Sequence, residues 1–273
     1  MIEELRLDEY EKAKSFFPGI EFELLFSALL EGNSLAQIYV DNRFQPTSVF
    51  LWDKANNVFY LSGDESNTPF NIELSKIIHE QIKPVLLLHR PYFRLRPLTR
   101  TGEQKLPPVL RHTHLRRRCY MFLSHHKAVG TDWKERIPLG FTLERIDEKF
   151  LYNPRYKNVE FVVREILQMW PSIDRFITHG FGFSFVTKDR VACICTSEYV
   201  STDKCGIGIE TVQEYRNKGL ATIAASALVQ HCQHKGITPY WETNVENLAS
   251  KRVAAKVGFV KELAYPMYVG KFR

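Results

Sequence analysis

Arg216, Lys218 and Gly219 stand together where an apolar-alternating run over 205–211 gives way to a helical pattern. That pattern puts Leu220, Ile223, Ala224, Ala227 and Leu228 on one face. The order predicts strand, turn and helix, with two cations and a glycine at the helix start. A helix start offers unpaired backbone N–H groups and the positive end of a dipole, so it suits a diphosphate. The glycine lets the backbone approach such a ligand. A nucleotide P-loop needs a second glycine and a following Lys-Ser/Thr, and the dinucleotide fingerprint needs more glycines than stand here. Taken alone, these residues also read as an ordinary basic helix start after a strand.

Other reactive side chains do not assemble a site at this level. The five cysteines, Cys119, Cys193, Cys195, Cys205 and Cys232, are odd in number and match no zinc spacing. His112-x-His114, His125-His126 and Cys193-x-Cys195 each lack a complete ligand set, so no metal is expected. Ser184 lacks the second glycine of a nucleophile elbow, which argues against a hydrolase. Arg90, Arg94, Arg96, Arg100, Arg111, Arg116, Arg117 and Arg118, with Tyr92 and Phe93 among them, form a basic segment over 90–118. It reads as a nucleic-acid surface or as a solvated edge beside a mobile loop at 102–108.

The elements that would position the basic turn follow from the apolar periodicity. Residues 1–31 look helical and are broken by Pro18-Gly19. Strands are expected at 35–40, 48–52 and 58–62, a helix at 73–81, and strands at 85–89 and 119–124. The stretch 133–138 reads as a linker. Beyond it come a strand at 141–146, an amphipathic helix at 159–170, a hairpin of 182–186 with 191–196, and the strand at 205–211. A helix at 217–234, a strand at 238–243, a helix at 248–257 and a strand pair at 259–261 and 267–269 close the chain. With 273 residues, 44% apolar and 25% charged, the chain can bury one large core or two smaller ones. The net charge of +6 suits an anionic ligand without selecting one. The opening residues do not read as a secretory signal and no apolar run reaches membrane-spanning length, so a cytoplasmic protein is expected.

Arg216, Gly219 and Ala221 resemble motif A of the GNAT superfamily of acetyl-CoA-dependent N-acetyltransferases. Asn247 and Gly258-Phe259 match a second landmark of that family downstream, with the expected elements between. Gly180-Phe181-Gly182-Phe183, Gly208-Ile209-Glu210-Thr211 and Pro239-Tyr240-Trp241 make the C-terminal half similar to the zwittermicin A resistance-type group. Ile38-Tyr39-Val40-Asp41 and Tyr60-Leu61-Ser62-Gly63 extend the likeness forward.

The resemblance implies an α/β (α+β, mixed-sheet) protein, with a GNAT domain at 139–273 and a degenerate, GNAT-like, non-catalytic half at 1–132. It implies acetyl-CoA as co-substrate, an amine acceptor, direct attack in a ternary complex, and admits a homodimer. Carried over position by position, it puts Ile209, Glu210 and Thr211 along the pantetheine arm. The backbone of Asn217, Lys218, Gly219, Leu220, Ala221 and Thr222 would hold the diphosphate, with Arg216 or Lys218 adding charge. Asn247 would meet the pantetheine amides, with Ser250 beside it at the motif's small-residue position. The family's tyrosine acid is absent, since Ala254 occupies its place. Tyr268 or Tyr265 stands in as candidate acid, with Cys205, Ser250 or solvent as alternatives. Asp203 or Glu210 is the candidate base, and Glu198 and His179 are further ones. A CoA-binding protein that no longer transfers stays open as a rival reading.

Overall fold

The computed structural model describes residues 2–89, 91–98, 110, 113–125, 127, 129–130 and 132–272. The chain forms two compact units: Met1–Leu30, Leu35–Cys119 and Tyr265–Arg273 make the first, Glu31–Ser34 and Tyr120–Ala264 the second.

The first unit carries β1 (Glu3–Glu4), α1 (Glu11–Lys14), α2 (Ile20–Leu30), β2 (Ala36–Val40), β3 (Ser48–Asp53) and β4 (Val58–Gly63). There follow α3 (Thr68–Ile77), a π-helical turn (Ile78–Ile82), α4 (Lys83–His89), β5 (Tyr92–Pro97) and the end of β12 (Val260–Lys271). Its strands run in the order β1-β2-β3-β4-β5-β12, with β4 and β5 parallel and the other pairs antiparallel. Phe59, Phe93 and Phe272 stack through the core, with ring centroids 5.1 and 4.5 Å apart.

The strand expected at 85–89 is instead helix α4. A short run such as Val85-Leu86-Leu87-Leu88 has no period that separates a buried strand from a helix. Here it continues α3 through the π turn, with Pro84 in the first turn that follows it. The expected closing strand pair is one continuous strand, β12, with Pro266 inside it. Arg90, Arg100, Arg111, His112 and the loop 102–108 lie outside the described residues. Arg96 is not a surface cation: it pairs with Glu21 at 2.6 Å and stacks 3.6 Å from the Tyr265 ring centroid, and all three are largely buried.

The second unit takes in the end of β6 (Arg116–Ser124), then β7 (Thr142–Arg145), α5 (Glu148–Leu151), α6 (Val159–Met169), α7 (Ile173–His179), β8 (Gly182–Thr187) and β9 (Arg190–Glu198). β10 (Lys204–Thr211), α8 (Leu220–Lys235), β11 (Thr238–Asn244) and α9 (Leu248–Val257) complete it. Its strand order is β6-β11-β10-β9-β8-β7, with only β10 and β11 parallel. The expected linker at 133–138 carries a 3-10 turn, Asp132–Arg136, anchored by buried Trp133. Helix α8 buries Leu220, Ile223, Ala224, Ala227, Leu228 and Cys232, and the Cys232 Sγ lies 3.5 Å from that of Cys205 on β10. The Cys205 side of β10 therefore faces α8, and alternation turns Gly206, Gly208 and Glu210 to the opposite face. Among the described residues, no helix is long and apolar enough to cross a membrane.

Candidate functional site

Strands β10 and β11 pair only at their starts, Lys204↔Thr238, Cys205↔Pro239 and Gly206↔Tyr240. Beyond that point β11 stays paired with β6 as far as Asn244, and β10 stays paired with β9 as far as Thr211. The two parallel strands thus part from Ile207 onward and leave one β10 edge unpaired. The Val212 N–H bonds to the Ala192 carbonyl at 2.9 Å, on the β9 side. By alternation Glu210 and Gly208 also turn their backbone groups to β9, and Ile209 turns its N–H and carbonyl into the gap. An extended chain with amide groups could pair there as a strand would.

At the far end of the gap the chain turns into α8. Arg216 folds back, giving Nε to the Thr211 carbonyl at 3.1 Å and Nη2 to the Glu210 carboxylate at 3.0 Å. The Thr211 hydroxyl is engaged with Cys193 Sγ at 3.2 Å. Asn217 and Gly219 both have left-handed backbone, with φ of 62° and 81°. The Gly219 carbonyl accepts the N–H groups of Thr222 and Ile223 at 3.1 and 3.2 Å. The backbone N–H groups of Asn217, Lys218, Gly219, Leu220 and Ala221 have no acceptor among the described residues. Lys218 is exposed and forms no ion pair among them. A Cβ on Gly219 would meet nothing within 4 Å, so the space over this helix start is open. The result is a cluster of free donors at the positive end of a 16-residue helix, a chemistry that could hold an anion. The Leu220 side chain is core, so only its backbone is available.

Since β10 and β11 are parallel neighbours, α8 and α9 both start at the same edge of the sheet. Asn247 caps α9: its Oδ1 accepts the Ser250 N–H at 3.1 Å, and its Nδ2 remains exposed. The Ser250 hydroxyl accepts from Trp241 Nε1 at 2.9 Å. Ala254 is buried and offers no proton.

The carboxylates fall in three different settings. Asp203 precedes β10. The Lys204 ammonium, 2.5 Å away, holds its carboxyl below the ordinary value, with a smaller contribution from the Ser201 hydroxyl at 3.2 Å. Glu210 is tied to Arg216 ahead of the start of α8. Glu198, at the end of β9, lies on the face of Gly206 and Gly208, beside the point where the strands part. Its Oε1 is 1.9 Å from where a Gly208 Cβ would stand, so the carboxylate occupies the space that this glycine leaves. Sequence reasoning gave Glu198 no special weight; the only signal was Gly-x-Gly at 206–208 in a strand, which marks close approach by another group. Tyr268 lies in the first unit, paired with Leu95 and packed against the Phe50–Phe59–Phe93 core, and Tyr265 is under Arg96 in that unit. His179 ends α7 and is exposed.

Comparison with known proteins gives a consistent picture. The model of a family described as GNAT acetyltransferase matches residues 14–268. An uncharacterized N-acetyltransferase of Bacillus subtilis (strain 168), YdfB, is 26% identical over 268 residues, 98% of each chain. A GCN5-related N-acetyltransferase-like protein from Streptococcus suis 89/1591 has a similar structure, with a TM-score of 0.71 at 19% identity over 97% of this chain and 98% of that one. A tandem GNAT protein from the clavulanic acid biosynthesis pathway matches with a TM-score of 0.53 at 10% identity, covering 99% and 98%.

Proposed function

The chain belongs to the GNAT acetyltransferase family, and on that premise we propose that it moves the acetyl group of acetyl-CoA to the amine of a small acceptor. The fold is that of the family in the C-terminal half, with a degenerate GNAT-like N-terminal half. The observation that carries the reading is the parted β10–β11 pair running into an open helix start. The pantetheine arm lies along Ile209, and its amides meet the free strand edge and Asn247. The diphosphate rests on the N–H groups of Asn217 to Ala221, with Lys218 as counter-charge.

In this reading the thioester lies near Gly206 and Ile207, where the strands separate. The acceptor arrives as an ammonium ion and has no lone pair to attack with. Glu198 takes one of its protons, and the neutral nitrogen attacks the thioester carbonyl. The C–S bond then breaks, the CoA thiolate leaves, and the nitrogen's second proton is released. The thiolate ends as the thiol, protonated from Glu198 or from solvent, so one proton is lost overall. What favours Glu198 is its place, with its carboxylate over Gly208 beside the point where β10 and β11 part.

The first unit supplies no second cofactor site in this proposal. Its parallel pair β4–β5 stays in register from Val58↔Arg94 to Leu61↔Pro97. The helix that follows starts closed: the Asn67 side chain takes the Phe70 N–H at 3.2 Å, Pro69 removes another donor, and Asp64 and Glu65 precede it. An anion is repelled there rather than held.

The test is calorimetric titration with acetyl-CoA, followed by a panel of amines with released thiol as readout. Binding together with thiol release that depends on one class of amine is the expected result. Binding without transfer to any amine would leave a CoA-binding protein, and failure to bind would overturn the placement of the cofactor.

A further inference from the structure

Residues Glu31–Ser34 belong to the second unit, although the chain on both sides of them belongs to the first. Side chains explain why. Asn33, 1% exposed, donates from Nδ2 to the Val200 carbonyl at 2.8 Å. Its Oδ1 accepts from Arg175 Nε, also at 2.8 Å. Arg175 gives Nη2 to the Glu31 carbonyl. The Glu31 carboxylate accepts the Thr202 N–H at 2.9 Å and the Thr202 hydroxyl at 3.1 Å. The tetrapeptide and α7 thus form a clasp around residues 200–202.

Those residues are the link between Glu198 and β10. Tyr199, the residue after Glu198, has φ 47°, a left-handed conformation that a large aromatic residue keeps only where its surroundings over-determine it. Val200 and Ser201 are buried, and the Ser201 N–H bonds to the Lys204 carbonyl at 2.8 Å. A buried asparagine with both amide atoms engaged resists displacement, because any shift strands a polar group away from water. The turn that follows Glu198 is therefore held from a distant part of the sequence.

We infer that Asn33 and Arg175 are positioning residues for acetyl transfer: by clasping the turn after Tyr199 they hold the Glu198 carboxylate over Gly208. The inference rests on the reading of Glu198 as the proton acceptor. The molecule contains its own control. Asn158 clips the opposite end of β9 with a similar pair of bonds, Nδ2 to the Val191 carbonyl at 3.0 Å and Oδ1 from the Val191 N–H at 2.8 Å. Losing it costs hydrogen bonds without touching the Glu198 end.

The experiment uses the full chain, acetyl-CoA and an amine found active in the panel, at a temperature where every variant is folded. Asn33→Ala is expected to lower kcat about tenfold or more with acetyl-CoA affinity unchanged, because a reacting group is displaced and not removed. Arg175→Lys should fall in the same direction, since it loses the two-pronged contact. Asn158→Ala is expected to lose comparable melting temperature and keep its kcat. The Glu198 carboxyl titration, followed by NMR, should move in Asn33→Ala and not in Asn158→Ala. Added to Glu198→Gln, Asn33→Ala should cost no further rate. Equal kcat for the Asn33 and Asn158 variants, or an additive loss in the double variant, would overturn the inference. A wild-type rate for Glu198→Gln would overturn the base assignment and this inference with it. A slow Glu198→Gln beside a wild-type Asn33→Ala would overturn the clasp alone.

Discussion

Replacing Gly208 by alanine tests the site with a single methyl group. The new Cβ would stand 1.9 Å from Glu198 Oε1 and 2.6 Å from its carboxyl carbon. No backbone atom is among its three nearest neighbours, and Gly208 is not among the residues with positive φ, so the strand itself has no reason to refuse alanine. What must yield is the carboxylate. Contact between a carbon and a neighbouring heavy atom relaxes near 3.5 Å, so the oxygen moves by roughly 1.5 Å. A displacement of about 1 Å in a reacting group can cost on the order of 10²-fold in rate. That corresponds to about 2.7 kcal/mol on the barrier. Stability should change by less than about 1 kcal/mol, because one flexible side chain re-orients and no cavity or buried charge is created. The assay is steady-state thiol release at saturating acetyl-CoA and amine, with cofactor affinity measured separately. The expected pattern is a fall in kcat, an unchanged affinity for acetyl-CoA, and no added loss when Gly208→Ala is placed on Glu198→Gln. Gly206→Ala, whose Cβ would lie 3.3 Å from the Glu198 carbonyl oxygen, should be milder. A wild-type kcat in Gly208→Ala would refute the claim that the carboxylate over this glycine handles the proton.

Three further outcomes follow from the same structure. Lys218→Ala should weaken acetyl-CoA binding by about fivefold, the value of one partly exposed charge at a helix start, and Gly219→Trp should weaken it far more by filling the open cradle; equal calorimetric affinities would contradict the placement. Asp203→Asn should leave the kcat–pH profile unchanged. Because Lys204 depresses the folded-state pKa of Asp203, this pair stabilises the protein above the unfolded carboxylate value and ceases to as pH falls through the folded one, so the melting temperatures of wild type and variant should differ slightly at neutral pH and converge in acid. Burial pushes the Cys193 thiol up to about 12, and Cys195 and Cys205 well above their ordinary value. Iodoacetamide at mildly alkaline pH should therefore label native protein at half-buried Cys119 and spare these three until the chain unfolds, as mass spectrometry of the peptides will show.

The helix start at Gly219 was legible in the sequence because its parts are contiguous: a strand pattern, a cation-glycine turn and a helical face follow one another. The cap at Asn247 was legible for the same reason. Glu198 stood only among the further candidate bases, since its place across from Gly206 and diagonal to Gly208 depends on a register set by the pairing of β9 with β10. Asn33 was further out of reach, being 167 residues from the carbonyl it holds. The error at 85–89 arose from a short apolar run without period, and the closing strand pair proved to be the single strand β12.

Strand β12 has a consequence for how the molecule is made. The first unit needs Met267, Tyr268 and Phe272 to close its sheet and fill its core, yet these follow the whole second unit in the chain. At about 5–20 residues per second, a ribosome delivers them roughly 7–30 s after Cys119. The nascent N-terminal unit therefore waits with the β5 edge unpaired and Phe93 stacked on Phe59 alone, which exposes an apolar sheet edge to other chains during synthesis. The part of the protein translated first is the last to be completed, and its demand for protection during translation is set by the length of the unit that interrupts it.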